Sequence, residues 1–574
     1  MMKRLVLVVA LAGFAGAWYV ALPPRARALP AASSELAMPV RGAIHVHSRR
    51  SDGTADVGEI AAAAARAGLA FVIFTDHGDA TREPDAPQYR EGVLCIDAVE
   101  ISTEHGHVVA LGLPTAPYPL AGEARDVLDD IARLGGFAIA AHPGSEKPEL
   151  RWNDWDAPIG GLEWLNADSE WRDESGWSLA RALLTYPIRK TETLVWLLDR
   201  PGNAMRQWDE LTKRRRVVAI AGADAHARIG PRSLGEPYDS GSSLHVPSYE
   251  RVLRVFSNTL PRTTFSGDAA TDAQAVLAAI RSGHVYSTID GLGGPAAMSF
   301  TATSGTARAA AGDVLPLGGP VTLRVDVQAP DTARIELIKD GRLLETTTGA
   351  MLEQVVDAVA AVYRVEILLP GGPGDPPVPW IVSNPIYVGR AVTDVVHAAS
   401  SDDTRPRASR FATQYRNGPA AGWTIETSAA SLGALEDVKA VGGTQLSLRY
   451  ALGGAASSSP FTAFVMPAGS ELPGYDRLMF TARANRPMRL SVQLREPGRE
   501  AGAEAGERWH RSVYLDPTPR DITVYFDDMT PRGVTSRPHP TLANVQSLLF
   551  VVDTVNTPLG GNGTIWIDDV KYAR

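Results

Sequence analysis

At 574 residues, 44% of them hydrophobic and 21% charged, the chain is too long for one core, since single cores stop growing near ~250–300 residues; two to four domains are expected. A formal net charge of -9 repels a phosphate backbone, and the one basic run, Lys213-Arg214-Arg215-Arg216, suits the negative end of a helix dipole, so nucleic acid is not an expected partner. The single cysteine, Cys95, leaves no disulfide framework, no thiolate zinc site and no CxxC pair, and it reads as a small core residue in an apolar strand.

Lys3 and Arg4 precede residues 5–22, eighteen positions without a charge, and Pro23-Pro24 with an Ala/Pro/Ser linker follows to about residue 38. This pattern is an export signal. As a helix the run spans roughly 27 Å, between a signal-peptide core and a full membrane span. Cleavage near Ala15-Gly16-Ala17 or Ala26-Arg27-Ala28 is one outcome; retention as an anchor, with Trp18-Tyr19 at the interface, is the other. In both, the body of the protein is expected outside the cytoplasm, periplasmic or secreted, with a membrane as partner if the segment stays.

Between residues 39 and 292 short apolar runs alternate with amphipathic stretches, the pattern of βα units. Strands are expected at 43–47, 70–75, 94–100, 107–113, 137–141, 161–165 and 217–221, and helices at 57–67 and 124–134. Residues 293–392 change to period-two alternation broken by turns, as in 321–327 and at Lys339-Asp340-Gly341-Arg342, which reads as a β-sandwich. A polar linker at 393–410 leads to a second all-β module, a sandwich or jelly roll over 411–574.

The chemistry sits at strand ends. His45 and His47 end the first strand, where alternation directs both imidazoles to one face. Asp52 follows in Ser51-Asp52-Gly53. Thr75-Asp76-His77 closes the second strand and Glu100 the third. His105 and His107 come next, then His142-Pro143, and Asp224-Ala225-His226 after the last strand. In an α/β barrel this is the catalytic face. A lone loop histidine is usually solvated, but seven of the twelve histidines fall between 45 and 226 among acidic residues, and an all-N/O set suits zinc, manganese or iron.

Taken in order, HVH, SDG, TDH, AVEIS, AHP and GADAH resemble the motifs of PHP (polymerase and histidinol phosphatase) metal-dependent hydrolases over about 250 residues. The downstream WIVSNPIY resembles the extracytoplasmic, carbaryl hydrolase-like branch of that family. The resemblance implies a distorted (βα)7 TIM-like barrel holding three divalent ions. It assigns His45, His47, Glu100 and Asp224 to one ion; Glu100, His107 and His142 to a second; Asp52, His77 and His226 to a third. His105 competes with His107 for its place, and His107 is preferred because it opens the apolar strand 108–111. Asp76 is read as orienting a ligating histidine.

The reaction implied is hydrolysis of a small molecule by metal-activated hydroxide, on a phosphate ester. A carboxyl ester or carbamate substrate and an inactive, surface-tethered binding protein are the alternatives. Among nearby cations Arg49, Arg50, Lys147 and Arg228, Arg228 is the best placed to hold a substrate anion. Five tryptophans from Trp152 to Trp177 suggest either a wall of the site or local packing, and Asn166 ends a strand beside them. The final module resembles carbohydrate-binding jelly rolls through a closing strand at 563–572, which implies a carbohydrate partner; a structural role is the alternative.

Overall fold

The computed structural model describes residues 16, 18–19, 21–31, 36, 39–228, 246–390, 405–416, 418–420, 422–440, 443–455, 459–497 and 506–574. Most of the expected export run and of the expected linker at 393–410 lie outside the described residues. Among the described residues no helix is long and apolar enough to cross a membrane. Two compact units emerge, Met1–Pro114 with Glu123–Val396, and Thr115–Gly122 with His397–Arg574.

The first unit opens with strands β1 (Val40–Val46), β2 (Phe71–Phe74), β3 (Gln88–Arg90), β4 (Val93–Asp97), β5 (Val99–Thr103) and β6 (Gly106–Leu111). It continues with β7 (Phe137–Ala140), β8 (Gly161–Asn166), β9 (Val218–Ala225), β10 (Ser257–Leu260) and β11 (Tyr286–Thr288). β1 pairs in parallel with β2 and β9, β2 with β4, β7 with β8, and β8 with β9. β4 and β5 are halves of one extended run interrupted at Ala98, and the isolated parallel bridge from His77 to Glu100 closes the circle.

The barrel is mixed, which departs from a uniform βα repeat. β5 pairs antiparallel with β6, and β6 with β7. The reason is local: only Glu104 and His105 separate β5 from β6, too few residues for the crossover that parallel pairing needs. Apolar strand residues supply the core, among them Ile44, Phe71, Ile73, Leu94, Ile96, Val109, Ile139, Val218 and Ile220. The helix Val57–Ala67 takes its expected bounds from a capping box between Asp56 and Glu59 and ends at Gly68, whose φ of 77° lies where glycine is free of strain. The second expected helix is Ala124–Arg133. The basic run follows the helix Gly202–Thr212, capped by Lys213, and precedes β9.

The first sandwich is continuous with the barrel sheet. β11 pairs antiparallel with the strand Ile381–Ser383, which pairs with Ala361–Leu368. A separate four-stranded sheet runs Ala307–Ala310, Met298–Ser304, Val321–Val327, Met351–Val356. Arg364, buried, donates to Asp209 at 2.7 and 2.9 Å and to Glu366 at 2.6 Å, joining the sandwich to the helix Gly202–Thr212.

The second unit is two antiparallel six-stranded sheets around a core that includes Trp423, Phe464, Phe480, Trp509 and Phe550. The strand expected to close it, Asn562–Ala573, is interior to its sheet, flanked by Gly443–Ala451 and Arg477–Ala484.

Candidate metal centre

The backbone departs from regular strand geometry at three points around the site. The pairing of β1 with β2 and β9 slips between Ile44 and Val46, so His45 is an extra residue in a bulge, with φ 68°. In β9 the same slip spans Ala223 and Asp224, and Asp224 has φ 42°. His142, just past β7, has φ 38°. Left-handed backbone at three non-glycine residues costs of order 1–3 kcal/mol each and persists only where surrounding structure enforces it. His45 and His47 do meet, with ring centroids 5.1 Å apart, but through a bulge rather than by the alternation of a regular strand.

All nine residues expected as ligands gather here. Four groups have ligand atoms mutually within 4.8 Å: His47, Asp52, His77 and His226; His45, His47 and Asp224; His45, Glu100 and His142; His77, Glu100 and His107. Glu100 is fully buried at the centre. Its Oε2 lies 3.2 Å from His45 Nε2, His47 Nε2 and His77 Nδ1. Its Oε1 lies 2.8 Å from His107 Nδ1 and 2.7 Å from His142 Nε2. The grouping departs from the allocation implied by the family resemblance: His47 also joins Asp52, His77 and His226, Glu100 falls outside the group of His45, His47 and Asp224, and His107 goes with His77 and His142 with His45, though both touch one Glu100 oxygen.

His45 Nε2, His47 Nε2 and Glu100 Oε2 are excluded from solvent and face one another at ion-pair distance without the alignment of a hydrogen bond, an arrangement that costs free energy unless protons or a cation join them. With Asp224 Oδ1 they define separations of 3.2, 3.2, 3.3 and 3.5 Å. A tetrahedral ion held at about 2.0–2.1 Å needs ligand separations of about 3.3 Å. The donor set and spacing therefore fit a divalent cation. At the other end, Asp52 Oδ2 lies 3.0 Å from His226 Nε2, and His226 stacks on His47 with centroids 4.2 Å apart.

Charge follows from this crowding. Burial works against protonating His47, but Asp224 and Glu100 outweigh it and push it up to about 10. His142, buried and opposed by the Glu100 carboxylate, rises to about 9. His77 is pushed down to about 4, by burial first and by its histidine neighbours, despite Glu100. Glu100 and Asp224 stay well below the usual carboxylate range because the surrounding histidines overcome their burial. The carboxylates thus hold protons on imidazoles that a cation would displace.

Other expected residues fall as follows. His105 is outside the cluster, its Nδ1 2.8 Å from Asn153 Oδ1 and its Nε2 3.4 Å from Glu123. Asp76 accepts from Ser48 N and Ser48 Oγ at 2.7 Å and from Ser51 Oγ at 2.8 Å, so it braces the loop after His47 and reaches that ring only through Ser51, 3.5 Å from Nδ1. Arg228 donates to Asp52 at 2.8 Å. Arg50 is paired with Asp85 and Asp97, and Arg49 with Glu59. Trp152 and Trp164 are fully buried and Trp177 is exposed, so the five tryptophans form no single wall.

Two residues escaped the sequence reading. Glu163, buried in β8, places Oε1 2.6 Å from His45 Nδ1 and accepts from His142 N at 2.8 Å and Asn166 Nδ2 at 2.7 Å. A carboxylate behind a histidine fixes its tautomer and turns the far nitrogen to the cation. β8 is bulged at Trp164, which brings Glu163 and Asn166 to one side where regular alternation would separate them. Its signal was a lone charge in an apolar strand, since buried carboxylates are almost always paired. Arg172 ends the helix Ala167–Arg172 and pairs with Asp168; that pairing, with the fields of Asp224 and Asp52, raises it.

No family model matches the chain, and no curated relative matches it. Among solved structures it is similar to a family 11 carbohydrate-binding module from Clostridium thermocellum in complex with a β-1,3-1,4-mixed-linked tetrasaccharide. The identity is 14%, over 28% of this chain and 94% of that one, with a TM-score of 0.25. A family 30 module of a cellulosomal cellulase of the same organism gives 12% identity, 28% and 96% coverage and a TM-score of 0.22. These likenesses are too remote to assign a ligand.

Proposed function

We propose that the first unit is a metal-dependent hydrolase of the PHP type, a distorted TIM-like barrel acting on a phosphate ester of a small molecule outside the cytoplasm. The observation that carries this reading is the convergence of His45 Nε2, His47 Nε2 and Glu100 Oε2, buried without hydrogen bonds, at ligand spacing with Asp224. His45, His47, Glu100 and Asp224 would hold one ion, His107 and His142 would share Glu100 with a second, and Asp52, His77 and His226 would hold a third, whether zinc, manganese or iron. When bound, such ions bring a water towards a pKa of ~7 and draw off charge from the attacked group. The chain's own residues do the positioning: Glu163 fixes His45, Asp76 braces the loop behind His47, and Arg228, paired with Asp52, presents a guanidinium group that suits phosphate oxygens, with Arg172, paired with Asp168, in the field of Asp224 and Asp52. The export run at residues 5–22 supports the location.

The test is metal content by mass spectrometry on the purified chain and Glu100→Gln, followed by a screen of aryl phosphates, esters and carbamates. About two to three ions per chain, falling in the variant, with turnover of the phosphates, is the expected outcome. Metal well below one per chain after reconstitution would sink the hydrolase reading. Turnover of carbamates alone would move the substrate class to carbonyls.

A further inference from the structure

The helix Gly176–Thr185 turns an apolar stripe to solvent. Trp177 is 81% exposed, Leu183 76% and Leu184 58%, and Ile188 in the next turn is 50% exposed. Ala180 and Pro187 between them are exposed as well, so positions 177, 180, 184 and 187–188 form one stripe at helical spacing. The helix Ala269–Ser282 of the same unit shows the ordinary arrangement, burying Ala273, Val276 and Ile280. A run of exposed apolar residues led by tryptophan marks an interaction surface.

The same helix holds the end of the charge-free run. Trp18 Nε1 donates to Leu184 O at 2.9 Å, Arg181 Nε donates to Ala21 O at 3.1 Å, and Arg189 donates to Pro23 O. Tyr19, 71% exposed, lies on this tether. The stripe therefore sits beside the described end of that run, Trp18 and Ala21. Arg181, Arg189 and Lys190 are offset by Asp173, Glu174 and Glu192 in the surrounding chain, so apolar contact rather than attraction to anionic lipid suits this surface.

We propose that the stripe from Trp177 to Ile188 lies in the interfacial layer of a lipid bilayer, the same bilayer that residues 5–22 enter, so that the first unit rests on the membrane instead of swinging from a tether. This rests on retention of the N-terminal run, one of the two outcomes open to the sequence, and is independent of the hydrolase chemistry.

Cys95 is buried, and burial pushes its thiol up to about 11, so an introduced surface cysteine takes a maleimide dye selectively. The full chain carrying Leu183→Cys, labelled with an environment-sensitive dye and reconstituted in phosphatidylcholine vesicles, should float with the vesicles. Its emission should shift to the blue and be quenched by nitroxide-labelled lipid, while a dye at Leu343→Cys, a site 60% exposed in the strand Arg342–Thr348, stays water-like. Adding Trp177→Glu and Leu184→Glu, both at exposed positions, should abolish the quenching at 183 and leave flotation intact. A floating chain whose dye at 183 is not quenched by lipid overturns the proposal, and a blue shift without lipid quenching assigns the stripe to a protein contact and overturns it too. Absence of flotation removes the anchor and the proposal together.

Discussion

Glu163 bears on the candidate metal centre through His45. Its carboxylate is 2.6 Å from His45 Nδ1 and also holds the backbone of His142, so one charge orients two of the nine clustered residues. Glu163→Gln keeps the shape and removes the charge; metal affinity should fall by about 10–100-fold, read by competition with a chelating dye, with little change in fold. Unchanged affinity would reduce Glu163 to a packing residue. The nine clustered side chains were legible because short apolar runs ending in His, Asp or Glu locate a barrel rim without knowledge of pairing. Glu163 was not, because a bulge at Trp164 reverses the facing that alternation predicts, and bulges leave no periodic trace. Glu170 carries a separate prediction. Burial, with Asp173, Asp199 and Glu174 nearby, pushes its carboxyl up to about 8, and its Oε2 accepts from Asp199 N at 2.9 Å. Because the folded value lies above the unfolded one, near ~4.3, the folded state keeps a proton that the unfolded chain has lost, and stability falls as pH rises between those two values. Glu170→Gln should be nearly neutral at acid pH and gain on the order of a few kcal/mol above pH ~8, seen as a melting-temperature difference that grows with pH. A difference independent of pH would contradict the raised value.

Among the elements, β9 shows how the first sandwich takes part in the barrel. Its pairing with β1 begins only at Gly222, and before that point side-chain amides stand in for a strand. Asn384 accepts from Ala219 N at 2.8 Å and donates to Ala219 O and Val285 O at 2.9 Å. Asn258 accepts from Ala221 N at 3.0 Å and donates to Ala221 O at 2.7 Å. The resemblance of WIVSNPIY drew attention to the segment holding Asn384, but no local pattern shows that its amide completes a strand 165 positions earlier. Strand existence was legible from apolar runs; the antiparallel β5–β6–β7 segment was less so, because it follows from a two-residue turn rather than from composition. Gly222 is fixed by its approach to β8, since a Cβ there would collide with the Glu163 carboxylate. Asn384→Leu leaves buried Ala219 N–H and two carbonyls unsatisfied and should cost about 3–5 kcal/mol, read as a lower urea midpoint at unchanged slope. A cost below ~1 kcal/mol would mean that water or a rearranged strand replaces the amide.

For the whole molecule, the two units predict how metal and stability are linked. The nine clustered candidate ligands lie in the first unit, and the second folds around its own aromatic core. A cation that binds only the folded first unit stabilises it by about 2.7 kcal/mol per site at a free concentration of 100 Kd. For a unit of this size that is a rise of roughly 4 °C per ion, since the entropy of unfolding grows with chain length. Calorimetry of the full chain should therefore show two transitions, and adding zinc or manganese should raise one and leave the other in place. Chelation should reverse the shift, and Glu100→Gln should reduce it, because that carboxylate faces both histidine sets. A single transition moving as one would mean that the units unfold together; two transitions with neither moving would mean that the unbonded nitrogens of His45 and His47 are satisfied by something other than a cation.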